Sequence, residues 1–519
     1  MTATAAGRPA ARTVPELLAW RTALHPDRVA VEVAGVDALT FARWSAEATA
    51  VAAALRRRSL RPGDRVGLVF GARDWTRFAV AYCGVLRAGG VAVPLSDRLA
   101  AGQLDHALTH CAAGAVVRGD DTAAPPAPAG LPVWRAGELA AEPATDADLP
   151  TVRPGDLAQI LYTSGTTGRP KGVGASHANL TAGAPTHPRR LALGHSQRFL
   201  HAFAIGTNAG QTMLFNALTA TAGALTLAAF TPARFARLID TPGTGTLFVV
   251  PSMAIELLDS GALRGRNTSG VHLVGSTAAA LPPAVAARLA EVFAEATIVN
   301  YYTSTEAAPA QTTMIYDPTR RDAVGRPVGG QLRIADADGD PLPPGTTGEV
   351  WLRAPYPRAY YRDAAANRDT FRDGWVRMGD IGRIDADGYL YLTDRHQDVI
   401  KSGAFKISSL EVEAALHEHP LVAEAAVVGV PHPVLGSAVA AAVVPRPPAA
   451  DGFAPAPTAD GPAPPHAVAD GLTLPALRGF LADRLADHQL PARLLLLEHL
   501  PRNEGGKVLK RQLTGLFEH

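Results

Sequence analysis

LYTSGTTGRPKGV, residues 161–173, decides how this chain is read. A short apolar strand feeds a loop of Thr163, Ser164, Gly165, Thr166, Thr167 and Gly168, followed by Lys171. Glycines let the backbone curl with its N–H groups pointing inward. The hydroxyls add donors and the lysine adds positive charge, a combination suited to a polyphosphate. The loop is not of the Walker A kind: Pro170 stands where the second glycine should be, and no Gly-Lys-Ser/Thr follows. A shorter piece of it would read as a solvated turn, whereas the full run reads as a phosphate-binding loop.

Working outward, the first part of the chain alternates helices and strands. Residues 42–59 read as an amphipathic helix, RPGD at 61–64 as a turn and RVGLVF at 65–70 as an apolar strand. Residues 75–88 read as a helix and 89–95 as a turn and strand. The pattern returns in VHLVGS at 271–276, a helix over 282–295 and TIVNYY at 297–302. Such βα units predict an α/β fold with partly parallel sheets. Residues 336–355 and 385–392 are turn-rich and predict hairpins, hence a β-rich subdomain. The predicted boundary places a large N-terminal domain at 1–394 and a small α/β C-terminal domain at 395–519. In the second domain the pattern predicts helix 409–418, strands 423–430 and 437–444, helix 474–487 and strand 492–497. Residues 445–471, rich in Pro and Ala, predict a flexible surface insertion. PPAPAG near 125 reads as another loop.

The totals narrow the class. A chain of 519 residues exceeds one ordinary core, so two or more domains are expected. Lys plus Arg is 49 against 48 for Asp plus Glu, a balance that argues against a nucleic-acid partner or a polybasic membrane anchor. Two cysteines, Cys83 and Cys111, cannot build a disulfide framework or a zinc cluster, and they suit a reducing cytoplasm. No apolar run is long enough to span a bilayer, and the N-terminus lacks the apolar core of a signal peptide.

TSGTTGRPKG resembles the phosphate loop of the adenylate-forming superfamily, which includes acyl-CoA synthetases, peptide-synthetase adenylation domains and luciferases. Four more stretches follow in the family's order: NYYTSTE (300–306), GWVRMGD (374–380), DRHQDVIKSGAFKISSLEVE (394–413) and LPRNEGGKVLKRQL (500–513). The resemblance implies an acyl-CoA ligase: a carboxylic acid attacks ATP to give acyl-AMP and pyrophosphate, then the thiol of coenzyme A displaces AMP. Residue by residue, it implies that Glu306 holds Mg²⁺ and Thr305 donates to the α-phosphate. Tyr302, followed by Thr303, would pack on adenine. Asp380 would take both ribose hydroxyls, with Arg395 reaching the ribose or phosphate. Lys507 would bridge the attacking carboxylate and the α-phosphate. The C-terminal domain would be a mobile lid turning about a hinge at Gln397, exchanging Lys507 for Lys401, Ser402, Gly403 and Ala404, which line the coenzyme A tunnel.

The match is not complete. Gln397 replaces the usual hinge Asp or Lys. Asp394, Thr303, Met378 and Asn503 replace Gly, Gly, Thr and Thr. Together these changes are expected to crowd the nucleotide and carboxylate site. One reading is a weakened first half-reaction, with acyl-AMP supplied by a partner adenylating ligase. Lys507 supports the other, in which both steps are intact. Loading of a carrier protein and an inactive nucleotide-binding regulator are further alternatives.

For the acid, HAFAIGTNAG (201–210) lacks the carboxylate that would hold an α-ammonium, so an amino acid is not expected. Phe203, Gly206, Thr207 and Asn208, with Gly275, Ser276 and Thr277 from GSTAAAL, are the predicted pocket lining. Their small size predicts room for a bulky acid, unless one inward aromatic occupies it.

Overall fold

A computed structural model describes residues 12–122, 130–144, 149–163, 170–395, 398–403, 405–446 and 471–517. The predicted insertion therefore lies almost wholly outside the described residues, as do Ser164, Gly165, Thr166, Thr167, Gly168, Gln397 and Ala404.

The helix expected at 42–59 forms as Phe41–Arg57, started by Thr40, whose hydroxyl accepts from the Arg43 amide. Its alanine-rich face packs on the helix Trp75–Arg87. Gly84 lets the two approach, since a β-carbon there would lie 2.5 Å from Val51. Behind them, Arg65–Phe70 and Val91–Ser96 run parallel and are buried along nearly their whole length, as continuous apolar strands in a covered parallel sheet should be. They belong to a seven-stranded sheet that ends with Leu157–Thr163, Lys171–Ser176 and Ala359–Tyr360.

A second sheet sets Arg198–His201, Thr244–Val249, Leu273–Ser276 and Thr297–Tyr302 side by side in parallel. It turns antiparallel at Gln311–Ile315. It then continues into the expected hairpins, Gln331–Ala335 with Gly348–Arg353 and Trp375–Ile384 with Leu390–Arg395.

The C-terminal residues build a third sheet from Ile400–Ser402, Phe405–Ile407, Val422–His432, Gly436–Pro445 and Arg493–Leu496. It closes on its own core of Val412, Leu416, Val427, Val439, Leu477 and Leu481. The helix predicted to reach 487 stops at Ala482, followed by a separate turn at Asp487–Gln489. Pro491 keeps Leu490 extended, so the turn cannot propagate.

Among the described residues no helix is long and apolar enough to cross a membrane.

Candidate active site

Two strands flank the expected phosphate loop, whose residues 164–169 lie outside the described residues. Leu157–Thr163 and Lys171–Ser176 pair antiparallel, with Thr163 opposite Lys171. Thr163 and Lys171 thus stand at the two ends of the loop. The Lys171 ammonium lies 4.9 Å from the centre of the Tyr360 ring. The Tyr360 hydroxyl donates to Glu306 Oε1 at 2.9 Å. This chain joins the phosphate loop to the acid expected to hold the metal. Burial and the neighbouring Glu306 charge push the Tyr360 phenol above its ordinary range.

The strand Thr297–Tyr302 delivers the next group. The Tyr302 hydroxyl donates to Asp380 Oδ2, and Arg395 pairs with Asp380 Oδ1 at 3.2 Å. Asp380 is only 6% exposed, so this pairing compensates a buried charge. Tyr302 also packs among Leu332, Met378 and Ala307. Tyr302, Asp380 and Arg395, far apart in sequence, therefore form one cluster.

Lys507 reaches the same cluster from the C-terminal domain. Asn503 and Lys507 close a tight loop: the Asn503 amide donates to the Lys507 carbonyl at 2.9 Å, and the Lys507 amide donates to Asn503 Oδ1 at 3.0 Å. Gly506 takes φ +79°, a left-handed turn that favours glycine. Burial, reinforced by the Arg395 charge, lowers the Lys507 ammonium to about 8, against the opposing pull of Asp380, Asp398 and Glu306. Glu504 of this loop lies near Ser96 of the large domain. By contrast, Ser402 pairs with Gly436, the Gly403 amide donates to the Leu435 carbonyl, and Phe405 stacks on His488. These are contacts within the C-terminal domain. The structure brings Lys507, and not Lys401–Gly403, to the nucleotide cluster.

The predicted acid pocket is only partly as expected. Thr207 caps the helix Asn208–Thr219, and Gly206 lies against the Ser96 backbone. Phe203 is 4% exposed and packs in the hydrophobic core beside His201. At Gly275 a β-carbon would come within 2.9 Å of both Phe248 and Tyr301. The two rings are 6.4 Å apart. The room predicted from small residues is therefore partly taken by aromatics. Ser276 is fully buried, its hydroxyl without a partner among the described residues, and Thr277 follows on a loop whose next residue, Ala278, has φ +73°.

Four of the unusual residues make local contacts that can be followed. Asp394 accepts from the amide and hydroxyl of Ser409 and so anchors the start of the helix Ser409–His417. Asn503 shapes the Lys507 loop. Met378 fills an apolar gap beside Tyr302, with Ser304 against its sulfur. The Thr303 hydroxyl turns onto the Ala310 carbonyl at 2.7 Å.

Four contributors were not legible beforehand: Arg358, Tyr360, Tyr301 and Glu504. Arg358 is buried and donates to the Thr305 carbonyl at 2.9 Å. The only signal for it and Tyr360 was YPRAYY (356–361), an aromatic-rich stretch with a basic residue after the hairpin. Both thiols are buried, with Cys83 pushed up to about 12 and Cys111 to about 11 by desolvation, so neither is a nucleophile here.

Two sheets flanked by helices, the expected phosphate loop between two strands of one of them, and a small domain placing a buried lysine beside Asp380 and Arg395 are the features of an adenylate-forming enzyme. Comparisons agree. The AMP-binding enzyme family matches residues 18–361, and the AMP-binding enzyme C-terminal domain matches residues 411–507. The chain is similar to a feruloyl-CoA synthase of Amycolatopsis sp, 32% identical over 96% of this chain and 97% of that one. It is also similar to a 2-succinylbenzoate–CoA ligase of Bacillus cereus (28% identical, 98% and 99% covered). Among solved structures it resembles ATP-bound MatB from Rhodopseudomonas palustris, with a TM-score of 0.82, 28% identity and coverage of 97% and 99%. The chain belongs to the AMP-binding enzyme family, and within it is an acid–thiol ligase of the acyl-CoA synthetase type, acting through acyl-AMP with ATP and coenzyme A.

Proposed function

We propose that this ligase activates an aromatic, non-amino carboxylic acid and performs both half-reactions itself. The observation that carries this reading is Lys507, set beside Asp380, Arg395 and Glu306 in a water-poor site. A cation there stabilises the charge that develops as carboxylate oxygen attacks the α-phosphorus and pyrophosphate leaves. Thr163, Lys171 and the phosphate loop would hold the polyphosphate, and Asp380 the ribose. Glu306 would hold Mg²⁺, which supplies Lewis-acid neutralisation of the phosphates. Its fit rests on Glu306 Oε2, which makes no hydrogen bond among the described residues, while Tyr360 orients the other oxygen.

Rotation of the C-terminal domain, taken here as 395–519 on a hinge at Gln397, would then bring Lys401–Ala404 to the site for coenzyme A. No partner adenylating ligase is needed in this reading. The aromatic substrate is supported by the relatives' substrates and by Phe248 and Tyr301 against Gly275. Those rings favour an acid of one ring over a multi-ring one. A reducing cytoplasm, where ATP and coenzyme A are supplied, suits two free thiols. The test is ATP-dependent CoA ester formation on a panel including ferulate, 2-succinylbenzoate, anthranilate, malonate and aliphatic acids. Turnover concentrated on aliphatic acids would overturn the aromatic assignment. Transfer to a holo carrier protein in preference to coenzyme A would overturn the acceptor.

A further inference from the structure

Arg358 is 8% exposed, yet among the described residues no carboxylate forms an ion pair with it. A buried guanidinium without an anion is costly to keep charged. Burial lowers it to about 10, although the neighbouring Glu306 charge opposes the shift. Neutral acceptors hold it instead. Its Nε donates to Asn179 Oδ1 at 2.9 Å, and its Nη1 donates to the Thr305 carbonyl at 2.9 Å and, at the longer 3.5 Å, to Asn208 Oδ1. Asn179 is itself oriented, since its Nδ2 donates to the carbonyls of Ala308 and Tyr356. The guanidinium is thus pre-set, with its Nη2 making no hydrogen bond among the described residues.

Its neighbours say what it faces. Asn208 begins the helix over the acid pocket, and Thr305 precedes the metal-binding Glu306. Gly505 of the Lys507 loop closes over Thr207, where a β-carbon would lie 4.0 Å from the Thr207 methyl. Arg358 therefore lies where the acid pocket, the nucleotide cluster and the closing loop meet.

We propose that Arg358 binds an oxyanion of the adenylation step, through its unspent Nη2, and that this anion is the charge partner that the described residues do not supply. The oxygen comes either from the carboxylate of the acid or from a phosphoryl group of ATP; both present a charged oxygen to the fork of an arginine. The proposal rests on the adenylation reading above and adds a binding residue to it.

The test compares the full chain with R358Q and R358K in ATP–pyrophosphate exchange and in equilibrium binding of ATP and of ferulate, with melting temperature as a control. R358Q should weaken one ligand, in KM or Kd, by roughly 30-fold or more, the scale of a buried charge pair losing one partner. R358K should recover part of the loss, because it keeps the charge and loses the fork. A loss confined to ferulate assigns the carboxylate, and one confined to ATP assigns a phosphoryl oxygen. If both ligands stay within twofold while only melting temperature or kcat falls, Arg358 is a structural clamp and the proposal fails. Should R358Q not fold, R358K decides alone: a rise of threefold or more for one ligand at unchanged melting temperature supports the proposal, and unchanged affinities overturn it. A wild-type chain that exchanges no pyrophosphate fails the proposed function instead, and the ATP and ferulate affinities of the variants still decide Arg358.

Discussion

Lys507 combines two properties that pull against each other: it must be charged to bridge two anions, and it sits where burial disfavours charge. Its ammonium is lowered to about 8, so the active, protonated form is lost as pH rises through that value. Pyrophosphate exchange should accordingly fall on the alkaline side of about pH 8. K507R, whose guanidinium stays charged, should remove that limb even if its rate at pH 7 is lower. K507A should slow exchange by about 10²- to 10³-fold, the usual loss of one transition-state donor. Single-turnover formation of CoA ester from preformed acyl-AMP should change little, because Lys401–Ala404 are read as serving that step. A further residue-level prediction concerns Ala278, which is exposed and holds φ +73° beside the pocket. A β-carbon in that region costs energy that glycine avoids, so A278G should raise stability by roughly 0.5–1 kcal/mol, read as a higher melting temperature. The motifs made Lys507, Asp380 and Glu306 legible because each lies in a long run of distinctive residue types. Arg358 and Tyr360 were not legible, since their role depends on the Ala359–Tyr360 strand joining the phosphate hairpin, a pairing between distant segments.

At the scale of elements, the strand ends shape the acid site. Leu273–Ser276 and Thr297–Tyr302 lie side by side, with Gly275 opposite Val299 and Ser276 opposite Asn300. Alternation along a strand places Tyr301 on the same face as Val299 and hence on the Gly275 face. GSTAAAL read by itself suggested empty volume, because the ring that fills it arrives from the neighbouring strand. Two predictions follow from this packing. G275A should clash with Phe248 and Tyr301 and destabilise the chain by about 1–3 kcal/mol, measured by thermal or denaturant melting. Y301A should leave the fold intact and shift selectivity toward larger acids, seen as a higher kcat/KM for multi-ring acids relative to ferulate. An unchanged profile would mean that Tyr301 does not border the acid. The βα units and the hairpins were readable from period and turn residues. The early end of the helix Leu474–Ala482 was not, because the apolar pattern runs on into the separate turn that Pro491 limits.

At the scale of the whole molecule, a buried carboxylate crosses between the domains. Asp259, at the end of the helix Pro251–Asp259, pairs with Arg288 beside it and with Arg446 of the C-terminal domain. Its side chain is 8% exposed, whereas Arg446 is 25% exposed. Ala423 of the C-terminal sheet is buried against the core of the large domain, and Glu504 reaches Ser96. These contacts hold the orientation in which Lys507 meets the nucleotide cluster. The rotation proposed for coenzyme A chemistry would break them. R446M and D259N should therefore lower pyrophosphate exchange by roughly five-fold, a value discounted for the partial exposure of Arg446, while thioester formation from acyl-AMP holds or rises. R288M removes a partner that does not cross between domains and should do neither. This latch could not be read from the sequence, since Asp259, Arg288 and Arg446 fall in no motif and meet only when the two domains are in place.

The departures at Thr303, Met378, Asp394 and Asn503 raised a real alternative, a chain that only passes on an acyl-AMP made elsewhere. Their side chains turn to local structural work and Lys507 lies beside Asp380 and Arg395, which favours an intact adenylation step. The direct measurement is ATP–pyrophosphate exchange by the wild-type chain with the acid that gives the fastest CoA ester formation. An intact adenylation step predicts exchange that depends on that acid, is at least as fast as CoA ester formation, and is lost in K507A. Efficient CoA ester formation from preformed acyl-AMP, with no exchange on any acid, would contradict it.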